Sequence, residues 1–350
     1  MSKYTIESGI IFIMKWITFI MNLQREVFFM KLGVFAVLLS QKSLEEALDY
    51  LSKSGVQAVE LGTGGFPGNA HANPKELLAD ENKVNNLKEL VKKYGMEISA
   101  LSCHGNAVHP DKDIAQKFHK DFEDTVLLAE KLGINRVITF SGCPGDSDGS
   151  KYPNWVTCPW PGDFIKILDY QWNDVLIPYW DKAAKFAKEH GVDKICFEMH
   201  PGFCVYNTET LLKLRSAVGD VIGANFDPSH LFWQGIDPVA SIRELGPAIY
   251  HFHAKDCKVD EYNTKVNGVL DTKHYGDEAN RSWIFRTVGY GHGYQVWKDM
   301  ISALRVVGYD DVLSIEHEDS LMSVNEGLQK AISFLKEVMV FEQTGGMWWA

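Results

Sequence analysis

Four short apolar runs in the second half of the chain end in acids and histidines. They read CFEMHPG with Glu198 and His200, NFDPSH with Asp227 and His230, YHFHAKD with His251, His253, Lys255 and Asp256, and SIEHED with Glu316, His317, Glu318 and Asp319. Ionised carboxylates gathered away from water lose hydration and repel one another, so such a cluster calls for a cation. Side chains alternate across a strand, which puts Glu198 and His200 on one face, and His251, His253 and Lys255 together on another. The resulting one-metal ligand set is Glu198, Asp227, His253 and Glu316. Three carboxylates and one imidazole favour Mn²⁺, with Mg²⁺ or Co²⁺ acceptable, over the Cys-rich surroundings of structural zinc. A cation held there acidifies the C–H next to a sugar carbonyl and stabilises the enediolate left when the proton goes. Glu198 or Glu316 can move that proton, while His104, His200 or His230 orient or protonate oxygens. Returning the proton to a neighbouring position isomerises the sugar, returning it to the other face epimerises it, and expelling a β substituent is an elimination. Further substrate contacts are expected from His230, Lys255, Asp256, Trp283 and Arg286.

Delivering these groups to one place requires a repeated strand–helix plan. Strands are predicted at 31–38, 56–62, 97–104, 136–142, 194–200, 222–227, 248–256 and 311–318, near-continuously apolar as parallel strands under helices should be. Amphipathic helices are predicted between and after them, at 43–54, 81–94, 113–132, 172–190, 208–218, 237–245, 295–307 and 321–338, several followed by Gly as a stop. Eight such units give a single α/β domain, a (β/α)8 barrel over residues 30–340 with functional groups at the C-terminal ends of its strands. Two connections, 143–169 after strand four and 257–294 after strand seven, are long and rich in Trp, Tyr, Pro and Gly. Long loops on this face commonly carry function, and aromatic walls suit a sugar or an aromatic ligand.

The chain of 350 residues carries 35 basic and 46 acidic side chains, a net charge of −11, which argues against nucleic acid as a partner. Its six cysteines show neither CxxC pairs nor regular spacing, as expected of reduced thiols in a cytoplasmic protein. The apolar stretch 10–23 is too short for a span, which needs about 20 residues, and it contains Lys15. Residues 1–29 therefore read as an extension outside the fold rather than a membrane anchor, and 341–350 as a short tail ending in two tryptophans.

Through FEMHPG, FDPSH, the His253, Lys255 and Asp256 motif, and GYDDVLSIEHED, the chain resembles the xylose-isomerase-like superfamily of sugar phosphate isomerase and epimerase TIM barrels. The resemblance covers residues 30–338 and implies that Glu198, Asp227, His253 and Glu316 hold one divalent cation. Ketose 3-epimerases of this superfamily carry a further Glu and Arg where this chain has Cys204 and Val259. The long aromatic connections resemble a second branch, the catalytic α subunits of C-deglycosylation enzymes. That resemblance implies a lyase that cleaves the carbon–carbon bond of a 3-oxo-C-glycoside, releasing the aglycone and a dehydrated sugar, together with a small β subunit and a higher oligomer. A sugar isomerase or epimerase and a non-catalytic sugar-binding barrel are the alternatives.

Overall fold

The computed structural model describes residues 30–342, 345–347 and 349. The strands run β1 Lys31–Phe35, β2 Ala58–Gly62, β3 Glu97–Ser102, β4 Arg136–Thr139, β5 Lys194–Glu198, β6 Ile222–Phe226, β7 Ile249–Ala254, β8 Asp256–Val259, β9 Trp283–Arg286 and β10 Val312–Ile315. Eight of them close a parallel barrel in the order β1-β10-β7-β6-β5-β4-β3-β2, which is the predicted (β/α)8 architecture. The other two, β8 and β9, form an antiparallel hairpin inside the long connection after β7. The expected extension 1–29 lies outside the described residues, as does Trp348 of the tail. Among the described residues no helix is long and apolar enough to cross a membrane.

Helix starts follow local chemistry. Ser43 and Glu46 form a reciprocal capping box at Leu44–Lys53, and Asn207 with Thr210 does the same at Thr208–Val218. The helix Lys112–Leu132 stops at Gly133, whose left-handed φ of 75° suits a residue without Cβ. The predicted helix 172–190 begins earlier than expected, at Asp163, and passes through a π-helical segment, Tyr170–Leu176, before Ile177–Glu189. Pro178 sits at that junction, and because proline lacks an N–H it cannot make the regular i to i−4 bond back to Asp174.

The barrel strands are shorter than their apolar runs. Residues 140–142, 199–200 and 316–318 leave the ladder and turn over its C-terminal end, which is what frees their side chains for a site. Around the barrel, Trp180 packs edge-on against Phe122 and Phe197 and donates its indole N–H to Ser141 O at 2.8 Å. Burying a large apolar side chain is worth roughly 1.5–3 kcal/mol, so this indole contributes to the stability of the layer between barrel and helices.

Candidate metal centre and active site

Glu198 ends β5, Asp227 follows β6, His253 lies in β7 and Glu316 follows β10. One ligand atom from each lies within 4.8 Å of the other three, so the four predicted ligands converge. Asp227 and His253 are wholly buried and Glu198 nearly so, while the Glu316 side chain keeps 14% of its surface exposed. His253 Nδ1 stands 3.2 Å from Glu198 Oε2 and 3.1 Å from Glu316 Oε2. Yet Nδ1 of His253 and Oδ2 of Asp227 are buried without a hydrogen-bond partner among the described residues. Buried polar atoms are ordinarily paired. His253 Nδ1 faces the Glu198 and Glu316 carboxylates, and Asp227 Oδ2 stands in ion pairs 3.1 Å from Lys255 Nζ and 3.3 Å from His230 Nε2, so these atoms with the two glutamates are a donor set that fits a divalent cation.

The surroundings fix each carboxylate. Glu198 Oε2 is 3.1 Å from His104 Nε2, its Oε1 is 3.0 Å from His230 Nε2, and Asn225 Nδ2 donates to Oε2 at 3.4 Å. Burial raises the Glu198 carboxyl, but His104, His230 and His253 outweigh it and hold it well below the usual carboxylate range. Asp227 Oδ1 accepts from Ser229 N at 2.8 Å, while burial, opposed by Lys255, pushes its carboxyl up. Lys255 Nζ lies 3.1 Å from Asp227 Oδ2, 2.9 Å from Glu316 Oε2 and 3.2 Å from Glu318 Oε2. It is therefore the internal counter-cation of the cluster. Its ammonium also lies over the Phe285 ring, 4.9 Å from the ring centre.

His200 packs on His230 with ring centres 4.1 Å apart, and its Nδ1–H is directed at Pro201 O, 2.6 Å away. That leaves Nε2 as the acceptor nitrogen. Burial, reinforced by His230, pushes the His200 imidazole down to about 3, so it is neutral. An aromatic wall flanks this side: Phe140 packs on His104, His200 and Phe203, and Phe66 approaches Phe140.

Three expected substrate contacts are placed elsewhere. Asp256 is wholly buried, and its Oδ2 accepts from the backbone N–H groups of Gly289, Gly291 and His292 at 3.1, 3.2 and 2.9 Å. Its Oδ1 pairs with Cys257 N and His292 Nδ1. It pins a loop, and Gly291 permits the close approach because a Cβ there would collide with Asp256 and Cys257 O. Trp283 is buried in the hairpin, stacked on Trp233 at 4.6 Å. Arg286 is held by Asp319 Oδ2 at 3.0 Å. Contacts that tie the second long connection to Asp256, Trp233 and Asp319 thus engage groups that spacing alone assigned to substrate.

One residue was not foreseen. Glu60, in the middle of β2, is wholly buried and its two oxygens lie 3.0 and 2.9 Å from His253 Nε2. Ser102 and Ser314 hydroxyls also donate to it. Burial raises Glu60, but His253, His251 and Ser102 overcome it and hold the carboxyl at about 2. An acid engaging Nε2–H fixes the tautomer that turns Nδ1 to the other carboxylates. The available signal was a lone acid inside an otherwise apolar run, AVELG.

A closed parallel barrel with acids and histidines gathered at its strand ends is a TIM barrel with a candidate metal site. The chain belongs to the xylose isomerase-like TIM barrel family, whose profile matches residues 48–338. It is 41% identical over 313 residues to Uncharacterized protein YfiH of Bacillus subtilis (strain 168), covering 89% of this chain and 99% of that one. A 3-dehydroshikimate dehydratase of Bacillus anthracis is 23% identical over 231 residues, covering 63% of this chain and 69% of that one. Among solved structures, the IolI protein with a bound zinc atom superposes with a TM-score of 0.60 at 19% identity, covering 88% of this chain and 97% of that one.

Proposed function

We propose that this chain is a divalent-metal-dependent lyase acting on an oxo-sugar, with a 3-oxo-C-glycoside as the preferred substrate. The observation that carries the reading is the convergence of Glu198, Asp227, His253 and Glu316 with two of their donor atoms left without hydrogen bonds. A cation held by these four would polarise the substrate carbonyl and lower the cost of the charge that develops when the adjacent C–H is broken. The donor set suits Mn²⁺, Mg²⁺ or Co²⁺. The zinc of the IolI structure puts Zn²⁺ in the metal screen as well.

The chain's own groups then divide the work. Glu198 is fixed by two histidines and an asparagine, whereas Glu316 is the carboxylate of the four with the most surface exposed. Glu316 is accordingly assigned removal of the C2 proton next to the C3 carbonyl. The electron pair forms the C1–C2 double bond as the bond from C1 to the aglycone breaks, and the departing aglycone carbon takes up a proton. His104 and His230 hold Glu198, and His200 presents its Nε2 to a substrate hydroxyl. Elimination also agrees with the name of the dehydratase relative, since loss of water β to a carbonyl uses the same proton abstraction. A free-ketose epimerase is less well supported. Cys204 is buried with its N–H on Gly142 O, and Val259 pairs with Trp283, so neither position offers a charged substrate partner.

The test is to incubate the full chain, loaded in turn with each metal, with a 3-oxo-C-glycoside and with free ketoses. It is run with and without a candidate small β subunit. Aglycone release from the glycoside supports the lyase, and turnover of ketoses alone overturns it.

A further inference from the structure

Three histidines surround the Glu198 carboxylate, and a further contact reaches it from inside the sheet. Glu198 of β5 lies beside Asn225 of β6 in the barrel ladder, and Asn225 lies beside His251 of β7. The second pairing depends on a register shift. Ala224 partners Ile249, so an unbroken ladder would set Asn225 beside Tyr250 instead of His251. Irregularities of this kind re-aim a side chain and are common next to active sites. Here the shift lines up three polar side chains along the barrel interior, with Asn225 and His251 wholly buried.

Their polar atoms connect in one order. Asn225 Nδ2 donates to Glu198 Oε2 at 3.4 Å, and Asn225 Oδ1 lies 3.0 Å from His251 Nδ1. A carboxylate only accepts, so the amide turns its NH2 toward Glu198 and its oxygen toward His251, which must then donate from Nδ1. His251 Nε2 faces the Ser99 hydroxyl of β3, 3.4 Å away across the barrel. Neither Asn225 nor His251 has surface open to a substrate, so an effect on the site passes through the groups they touch. Glu198 Oε2 is also the oxygen that faces His253 Nδ1, at 3.2 Å, so holding it sets the spacing of two of the four candidate ligands. Hydrogen-bond partners behind metal ligands fix ligand orientation in this way. Glu60 does so for the imidazole of His253, whereas Asn225 does so for a carboxylate.

We propose that Asn225 and His251 are positioning residues for Glu198: the His251 ring fixes the Asn225 amide, and the amide holds Glu198 Oε2 in the orientation that ligates a divalent cation. The inference rests on the metal-dependent reading of the site and is independent of the choice of substrate. The measurement is the Mn²⁺ affinity of the full chain, read by competition with a chromogenic chelator. His251→Leu, which deletes the Nδ1–H donor, and Asn225→Ala, which deletes the amide, are each expected to weaken Mn²⁺ binding about ten-fold. His251→Asn places an amide N–H on the same side-chain carbon that bears Nδ1, so it is expected to keep wild-type affinity. Both His251 variants lose the ring, and a role in packing alone would therefore lower the two alike. The double variant His251→Leu/Asn225→Ala is expected to bind no more weakly than Asn225→Ala, because both residues act through one contact. Should His251→Leu fail to fold, as judged by near-UV circular dichroism, Asn225→Ala adds no bulk and carries the same expectation. Equal affinities in the two His251 variants, additive losses in the double variant, or wild-type affinity in Asn225→Ala overturn the positioning role alone. Wild-type protein that binds no Mn²⁺ or other divalent cation overturns the metal-dependent reading, and this inference with it.

Discussion

His253 belongs to two carboxylate clusters, and each of its ring nitrogens faces one of them. Through Nε2 it meets Glu60, whose oxygens also take hydrogen bonds from Ser102 and Ser314. Through Nδ1 it meets Glu198 and Glu316 at distances of hydrogen-bond length, yet that nitrogen and Asp227 Oδ2 make no hydrogen bond. The first cluster is wholly buried with its acceptors hydrogen-bonded; the second is balanced by the Lys255 ammonium, keeps two atoms outside any hydrogen bond and reaches the surface at Glu316. Buried charge with every acceptor filled fixes a geometry, whereas buried charge with donor atoms left over has capacity for a further ligand. The contrast separates a positioning role from a chemical one within a single imidazole.

The sharpest way to break this contrast is to alter the open cluster. Glu198→Gln and Glu316→Gln are expected to lower kcat/KM on a 3-oxo-glycoside by on the order of 10³-fold. Both should also reduce bound metal, measured by elemental analysis after dialysis. Unchanged activity in both would remove the catalytic assignment. Glu60→Gln addresses the wholly buried cluster and is expected to weaken metal binding about 10–100-fold, read by competition with a chelator, with the fold retained. Wild-type metal affinity in that variant would show that the two clusters are independent. Asp256→Asn lies outside both. It is expected to cost about 2–3 kcal/mol in chemical denaturation, because a buried carboxylate serving four backbone N–H groups, the Trp297 indole and the His292 ring loses its charge. Metal affinity should not change, and a loss there would tie the pinned loop to the site. The smallest effect concerns pH at the second long connection. Burial raises Asp271, but Lys273 and the Ser282 amide outweigh it and hold it at about 2, below its ordinary 3.8. A depressed acid stabilises the folded state above its unfolded pKa, and that stability is lost as pH falls from 3.8 towards 2. Amide exchange at Ser282 should therefore quicken over that window in wild type, and Asp271→Asn should remove the pH dependence.

The barrel was legible because each barrel strand is a compact apolar run and the main helices carry their own period, several with a side-chain cap, as at Ser43 and Asn207. The four converging ligands were legible for a related reason. Parallel strands of one barrel all end on one face, so residues at strand ends become neighbours whatever the details of packing. Glu60 escaped notice because its meaning lies in His253, 193 positions away. Asp256 was assigned to substrate because a carboxylate near the end of a barrel strand looks the same in sequence whether it serves a substrate or a returning loop. The β8–β9 hairpin was missed because its strands are short and separated by more than twenty residues without a tight turn.

The amino-acid sequence by itself determined the number of barrel strands, the alternation that makes them a barrel, and the kinds of ligand delivered to its rim. These depend on local periodicity and on the type of residue at each strand end. Only the tertiary structure decided that Glu60 holds His253, that Lys255 is spent on three carboxylates, and that Asp256, Trp283 and Arg286 build the hairpin and its loop. Those roles are set by pairwise contacts across the closed sheet and between loops. Hydrogen-bond partners at 3 Å are fixed by how the barrel closes, which no local pattern encodes.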